Sequence, residues 1–197
     1  MFHFLKRWKL NRLLKTAQRY QLVREHGDQK SVPLEIKALL AIAAYYKNSL
    51  LTDKKYPLAR AYLFEYLRAA ASLNHAGAQY QCALMRFDEG KLYQAWCASS
   101  YHRAIHDKLR QEAFDEAFAF LEAAIKNKHS EAKRYQGLAY IHGWGVAKDT
   151  SKGFDYILDS IAMENAWSRA TKIIDKLQLN SPEFFKALTQ YQSKTTS

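Results

Sequence analysis

The sequence is short of the residues that staple, break or loop a chain. It has two cysteines, three prolines and seven glycines in 197 residues. Two thiols, Cys82 and Cys97, make no disulfide framework. Both fall in stretches that read as helix, where a free cysteine packs as a small apolar residue, and a reducing compartment is expected. Scarce proline and glycine, with abundant Ala, Leu, Lys, Gln and Tyr, predict helices throughout. No alternating apolar pattern is long enough for a sheet. The longest apolar run, Ala38 to Tyr46, falls far short of the roughly 20 residues that cross a bilayer. Acidic residues are missing from the first 24 positions, yet charges interrupt every apolar stretch there, so no secretory leader is expected. Length and composition suit one small domain.

What is present is a recurrence. In the clearest copy Ala132 is followed by Gln136 and Gly137, then Tyr140. Ala78 is likewise followed by Cys82, Ala83 and Arg86, and Ala38 by Ile42, Ala43 and Tyr46. The second helices share a register too: Tyr66 with Ala69 and Ala70, Phe120 with Ala123 and Ala124, Tyr156 with Asp159 and Ser160. Small residues let two backbones approach, and aromatics fill the wedge between them. Neither helix of such a pair buries its apolar stripe alone, so recurring pairs predict a stacked solenoid, an architecture that mostly binds other proteins. After Tyr140, Gly143 and Gly145 provide a turn with positive φ, and Asp149, Thr150 and Ser151 offer caps for the next helix. Ser181 and Pro182 open a last helix whose Phe184, Phe185, Leu188 and Tyr191 make a closing stripe.

Ala132, Gly137, Tyr140, Gly143, Gly145, Val146, Asp149 and Lys152 resemble the signature of Sel-one-like repeats, relatives of the tetratricopeptide solenoids. The resemblance is close over 132–162, fair over 38–78 and partial over 78–132. It implies an all-α fold: an α/α solenoid of three to four antiparallel helix pairs, a tetratricopeptide-like superhelix with terminal capping helices, of bacterial origin. The expected layout is a basic N-terminal helix over 1–27, a solenoid over 33–176 with copies starting near 38, 78 and 132, a helical insertion over 90–112, and a capping helix over 181–192. By the same resemblance a partner groove takes Lys37, Lys47 and Asn48 from the first copy. Tyr80, Leu84 and Phe87 follow from the second, and Arg134, Leu138, Ile141 and His142 from the third. The alternative, that Tyr80, Leu84, Phe87, Leu138 and Ile141 are simply core, stands beside it.

Charge is the second signal. The net charge is +11, and Lys6, Arg7, Lys9, Arg12, Lys15, Arg19 and Arg24 supply seven cations before the first acidic residue. At about 100° per residue, Leu10, Leu13, Leu14, Ala17 and Tyr20 share one side of a helix. Lys9, Arg12, Lys15 and Arg19 share the other, led by Phe4, Leu5 and Trp8. The leucine side is expected to cap the solenoid, leaving the basic and aromatic side outward. A solvated face, an acidic protein partner and an anionic membrane surface are open readings of that side, with nucleic acid ranked after them.

Catalytic chemistry is hard to find. No serine, cysteine or carboxylate stands in a catalytic motif, and Gly143-Trp144-Gly145 follows a helix rather than a strand, so it is no phosphate cradle. His102 and His106 are four residues apart, with Cys97 five before them. Zinc wants three or four spaced donors, and only two are well spaced, so no metal, cofactor or catalytic residue is assigned. The resulting expectation is a cytoplasmic non-enzyme (mitochondrial matrix in a eukaryote). It is an interaction scaffold using the groove and the N-terminal helix, or else a peripheral binder of anionic membrane or nucleic acid.

Overall fold

In the computed structural model the backbone is described from Phe2 to Thr195 and the side chains from Arg7 to Ser193, Tyr101 excepted in both. Among the described residues the chain forms nine α-helices and no strand. They are α1 (Phe2–Glu25), α2 (Val32–Tyr45), α3 (Ala59–Ser72), α4 (Ala76–Cys97), α5 (Ala104–Lys126), α6 (Ser130–His142), α7 (Thr150–Met163), α8 (Ala170–Lys176) and α9 (Pro182–Thr195). No helix among the described residues is long and apolar enough to cross a membrane.

Local chemistry starts and stops these helices. The Asp149 carboxylate accepts the Lys152 N–H at 2.9 Å, and the Ser181 hydroxyl accepts the Phe184 N–H at 3.2 Å, which caps α7 and α9. Gly143 and Gly145 take φ of +71° and +70°, so α6 ends in the left-handed turn that the two glycines predict. A further recurrence is plain only in three dimensions. α3, α5, α7 and α8 each end on a non-glycine residue with positive φ: Asn74, Lys128, Asn165 and Gln178. In each case the next N–H reaches back five residues, as from His75 to Ala70 and from His129 to Ala124. His75 and His129 then turn Nδ1 onto the N–H groups of Ala78 and Ala132, at 3.0 and 3.3 Å. α4 and α6 therefore open with the same histidine cap.

The chain divides into two compact units, 1–82 and 83–197, where composition suggests one domain. The division falls inside α4. In the first unit α2 packs against both α1 and α3. Its core gathers Ala17, Ile42, Ala43, Leu50, Leu63, Leu67 and Ala70, all buried. Tyr46 lies in the π-helical turn Tyr46–Leu50 that extends α2, and it stacks on Tyr62 and Tyr66.

In the second unit α6 packs against α5 and α7, and α9 against α7. Gly137 and Gly153 form a close crossing: a Cβ on Gly137 would stand 2.6 Å from the Gly153 carbonyl oxygen. Ile157, Leu158, Ile161, Ile174 and Phe184 fill the core beneath it. A second nucleus surrounds Phe87, which meets Phe114, Phe118, Tyr135 and Trp144 ring to ring. The expected insertion over 90–112 is the last turns of α4, a linker over 98–103 and the start of α5. The closing helix runs to Thr195, past the expected end at 192.

Candidate functional site

The outward face of α1 is built on an anchored helix. Leu10, Leu13, Leu14 and Tyr20 are half-buried and Ala17 is buried, as expected of the leucine side, with α2 packed against the helix. Near its end Arg24 donates from Nε to the buried Glu35 carboxylate of α2 at 2.6 Å, with Nη2 at 3.4 Å from the second oxygen. That two-pronged bond fixes the helix rotation. It also raises the Arg24 pKa further, chiefly through the Glu35 hydrogen bond.

With the rotation fixed, Trp8, Arg12, Lys15 and Arg19 point outward. Trp8 is 54% exposed, and the Arg12 guanidinium lies 5.8 Å from its ring centroid. Together with Asn11, Thr16 and Tyr20 they line an open depression of about 380 Å³ that contains no acidic side chain. Phe4 and Leu5, expected to lead this face, have side chains outside the described residues. Lys9 leaves the basic row, because its ammonium reaches 5.4 Å from the Tyr45 ring of α2.

The groove expected from the repeat register is placed as follows. In the first unit Lys37, Lys47 and Asn48 are exposed and Tyr80 is half-buried. In the second unit Leu84, Arg134 and Leu138 are half-buried and His142 is exposed. Phe87 and Ile141 need correction: both are buried, Phe87 completely, so Phe87 offers no surface to a partner and Ile141 little. The physical reason is that Phe87 is the hub of the α4–α5 aromatic nucleus. Arg134 is also committed, donating to Glu164 at 2.7 Å and to the Ser160 hydroxyl at 3.2 Å. Burial pushes the Glu164 carboxyl upward, but the Ser130 hydroxyl and Arg134 outweigh it, and the net direction is down. His142 stacks on Trp144 at 4.7 Å, and desolvation together with Lys91 and Lys148 lowers its pKa. Lys91 sits 3.7 Å from the Trp144 ring centroid and donates to the Tyr135 hydroxyl at 2.8 Å.

At the α4–α5 junction the spacing argument changes partners. Donor atoms of Cys97, His102 and Asp107 lie within 4.8 Å of one another. His102 Nε2 is 2.5 Å from Asp107 Oδ2. His106, the second histidine that spacing singles out, is occupied elsewhere. Its Nδ1 accepts the Arg103 N–H at 3.3 Å to cap α5, and its ring packs on Trp96. Desolvation and the Asp107 carboxylate hold the Cys97 thiol above its ordinary pKa. Asp107 itself is drawn down, first by its bond to His102. Asp107 carries no motif in the sequence. The available signal is that it is a carboxylate in the first turn of the helix just after a linker that holds a histidine. No protein-family model matches the chain, and no curated protein matches it in sequence.

Proposed function

We propose that this protein is a non-catalytic adaptor of Sel-one-like repeat type, working in the cytoplasm, whose α1 face captures an acidic segment of a partner protein. The observation that carries the reading is the depression lined by Trp8, Arg12, Lys15 and Arg19, whose charged side chains are all cationic and which an exposed indole leads. Tryptophan and arginine are the side chains that most often anchor protein partners. Distributed cations steer an acidic partner and set its register. A protein partner is favoured over a bilayer because the leucine side of α1 is turned to α2, whereas an interfacial helix needs its apolar side for the lipid.

The repeat reading is supported by burial at equivalent positions. Ala38, Ile42 and Ala43 are buried in α2, as are Ala78, Cys82 and Ala83 in α4, and Ala132, Gln136 and Gly137 in α6. In the second helices Ala70, Ala124 and Ser160 are completely buried, while Tyr66, Phe120 and Tyr156 are half-buried. The shared histidine caps of α4 and α6 fall in the same register. The non-enzymatic reading is supported by Cys97: its neighbour is a carboxylate that disfavours the thiolate, the reverse of an activated nucleophile.

The test compares the full chain with a Trp8→Ala, Arg12→Glu, Arg19→Glu variant as bait in native lysate, read by mass spectrometry. Vesicles rich in anionic lipid and single-stranded DNA are titrated in parallel. The variant is expected to keep its helical circular dichroism and lose an acidic partner that the parent retains at physiological salt. Binding of vesicles or DNA alone, with steep salt dependence, would replace this reading with that of a surface binder. Equal capture by both proteins would overturn it.

A further inference from the structure

We propose that the α4–α5 junction is a divalent transition-metal site of zinc type, with Cys97 Sγ, one imidazole nitrogen of His102 and one carboxylate oxygen of Asp107 as the protein donors. The three donor atoms already lie within 4.8 Å of one another, although they come from the end of a helix, a linker and the first turn of the next helix. A tetrahedral zinc with bonds of about 2.0–2.3 Å holds its donors roughly 3.3–3.8 Å apart. Closing the remaining gap takes side-chain rotation of groups that are exposed or half-buried. One thiolate, one imidazole and one carboxylate form a mixed set that suits zinc and cobalt rather than calcium or magnesium.

The surroundings agree with a cation. Cys97 is the last residue of α4, where unpaired carbonyls give the helix its negative end. Arg110 Nη2 stands 3.4 Å from Asp107 Oδ1 and holds the carboxylate in place while Oδ2 faces His102. His106, capping α5, steadies the turn that brings Asp107 near Cys97. In coordination the Sγ–H bond of Cys97 breaks, its proton passes to solvent, and the thiolate lone pair forms the metal–sulfur bond. His102 and Asp107 exchange their mutual hydrogen bond for bonds to the ion. Three protein donors leave one tetrahedral position. His102 also lines an open depression with Trp96, Ser100, Arg103 and His106, wide enough for water or a donor from a partner. The junction is then a clamp between α4 and α5 whose fourth position is exchangeable.

The experiment titrates the reduced, chelator-treated full chain with Co²⁺ and follows the near-ultraviolet thiolate-to-cobalt absorption and the visible bands of tetrahedral cobalt, with Zn²⁺ added afterwards as competitor. One equivalent per chain is expected, displaced by Zn²⁺. Cys97→Ser should abolish the thiolate band. His102→Gln and Asp107→Asn should each weaken binding by at least about tenfold, the scale on which even an outer partner of a ligand acts. His26→Ala in the first unit should bind as the parent does, and circular dichroism confirms that each variant is folded. A band that survives Cys97→Ser, or parental affinity in both His102→Gln and Asp107→Asn, overturns the site. No thiolate band at one equivalent of Co²⁺ overturns it as well.

Discussion

Gly137→Ala adds one methyl group at the α6–α7 crossing, a tight backbone contact of the second unit. That Cβ would stand 2.6 Å from the Gly153 carbonyl oxygen, 2.7 Å from Ile157 Cγ1 and 3.2 Å from Tyr156 Cβ. The oxygen is backbone and cannot swing aside. A relaxed carbon–oxygen contact is about 3.3 Å, so α6 and α7 must separate by roughly 0.7 Å or twist by an equivalent amount. Overpacking of this kind costs about 1–3 kcal/mol, while alanine returns about 1 kcal/mol of helix propensity. The net expectation is a loss of up to about 2 kcal/mol, with Gly137→Leu at the upper end of the overpacking range or beyond. In thermal unfolding followed by far-ultraviolet circular dichroism, each kcal/mol lowers Tm by about 2–4 °C for a chain of this size. Gly77→Ala is the contrast: its Cβ meets a side chain rather than backbone, the His75 imidazole at 3.2 Å, so a smaller loss than at Gly137 is expected. Gly153→Ala faces the same crossing from the other side, with Ile141 Cγ1 at 2.5 Å. Once one methyl has spread the helices the second costs less, so the double variant should lose less than the two single losses added together. If Gly137→Ala unfolds above the parental temperature, the α6–α7 crossing is not built as described.

Three further outcomes are expected. Arg24→Ala leaves the buried Glu35 carboxylate without its guanidinium partner; the first unit should lose stability, and amide exchange should rise along α1 relative to α3. Lys128→Gly relieves a φ of +61° in a lysine that is exposed, and should gain up to about 1 kcal/mol in urea unfolding. The pKa of His142 is lowered in the folded protein, so the unfolded chain binds its proton first; stability should fall as pH drops below the ordinary value of 6.5 through the depressed one. Tm measured across that window should decline more steeply for the parent than for His142→Gln.

Much of the fold is legible along the chain because its causes are local. The Asp149 and Ser181 caps, the positive-φ turn at Gly143 and Gly145, and the small residues at Ala83 and Gly137 follow from side chains within a few positions of one another. The leucine and basic sides of α1 are legible for the same reason, since helical spacing alone separates them. Helical period says which residues share a side, but not which side a neighbour covers. Phe87 falls in the expected groove by register and in the core by packing, because α5 brings Phe114 and Phe118 against it. Lys9 belongs to the basic row by angle, yet Tyr45 of α2 draws it away. The histidine caps at His75 and His129 depend on left-handed Asn74 and Lys128, which no glycine marks. Spacing on one helix pairs Cys97 with His102 and His106. α4 instead ends at Cys97, and Asp107 in the first turn of α5 closes the cluster while His106 caps α5. The sequence alone determines periodicity, caps and charge, since these act over a turn or two of chain. Only tertiary structure decides which faces are buried and which donors meet, because those depend on helices and linkers far from each residue.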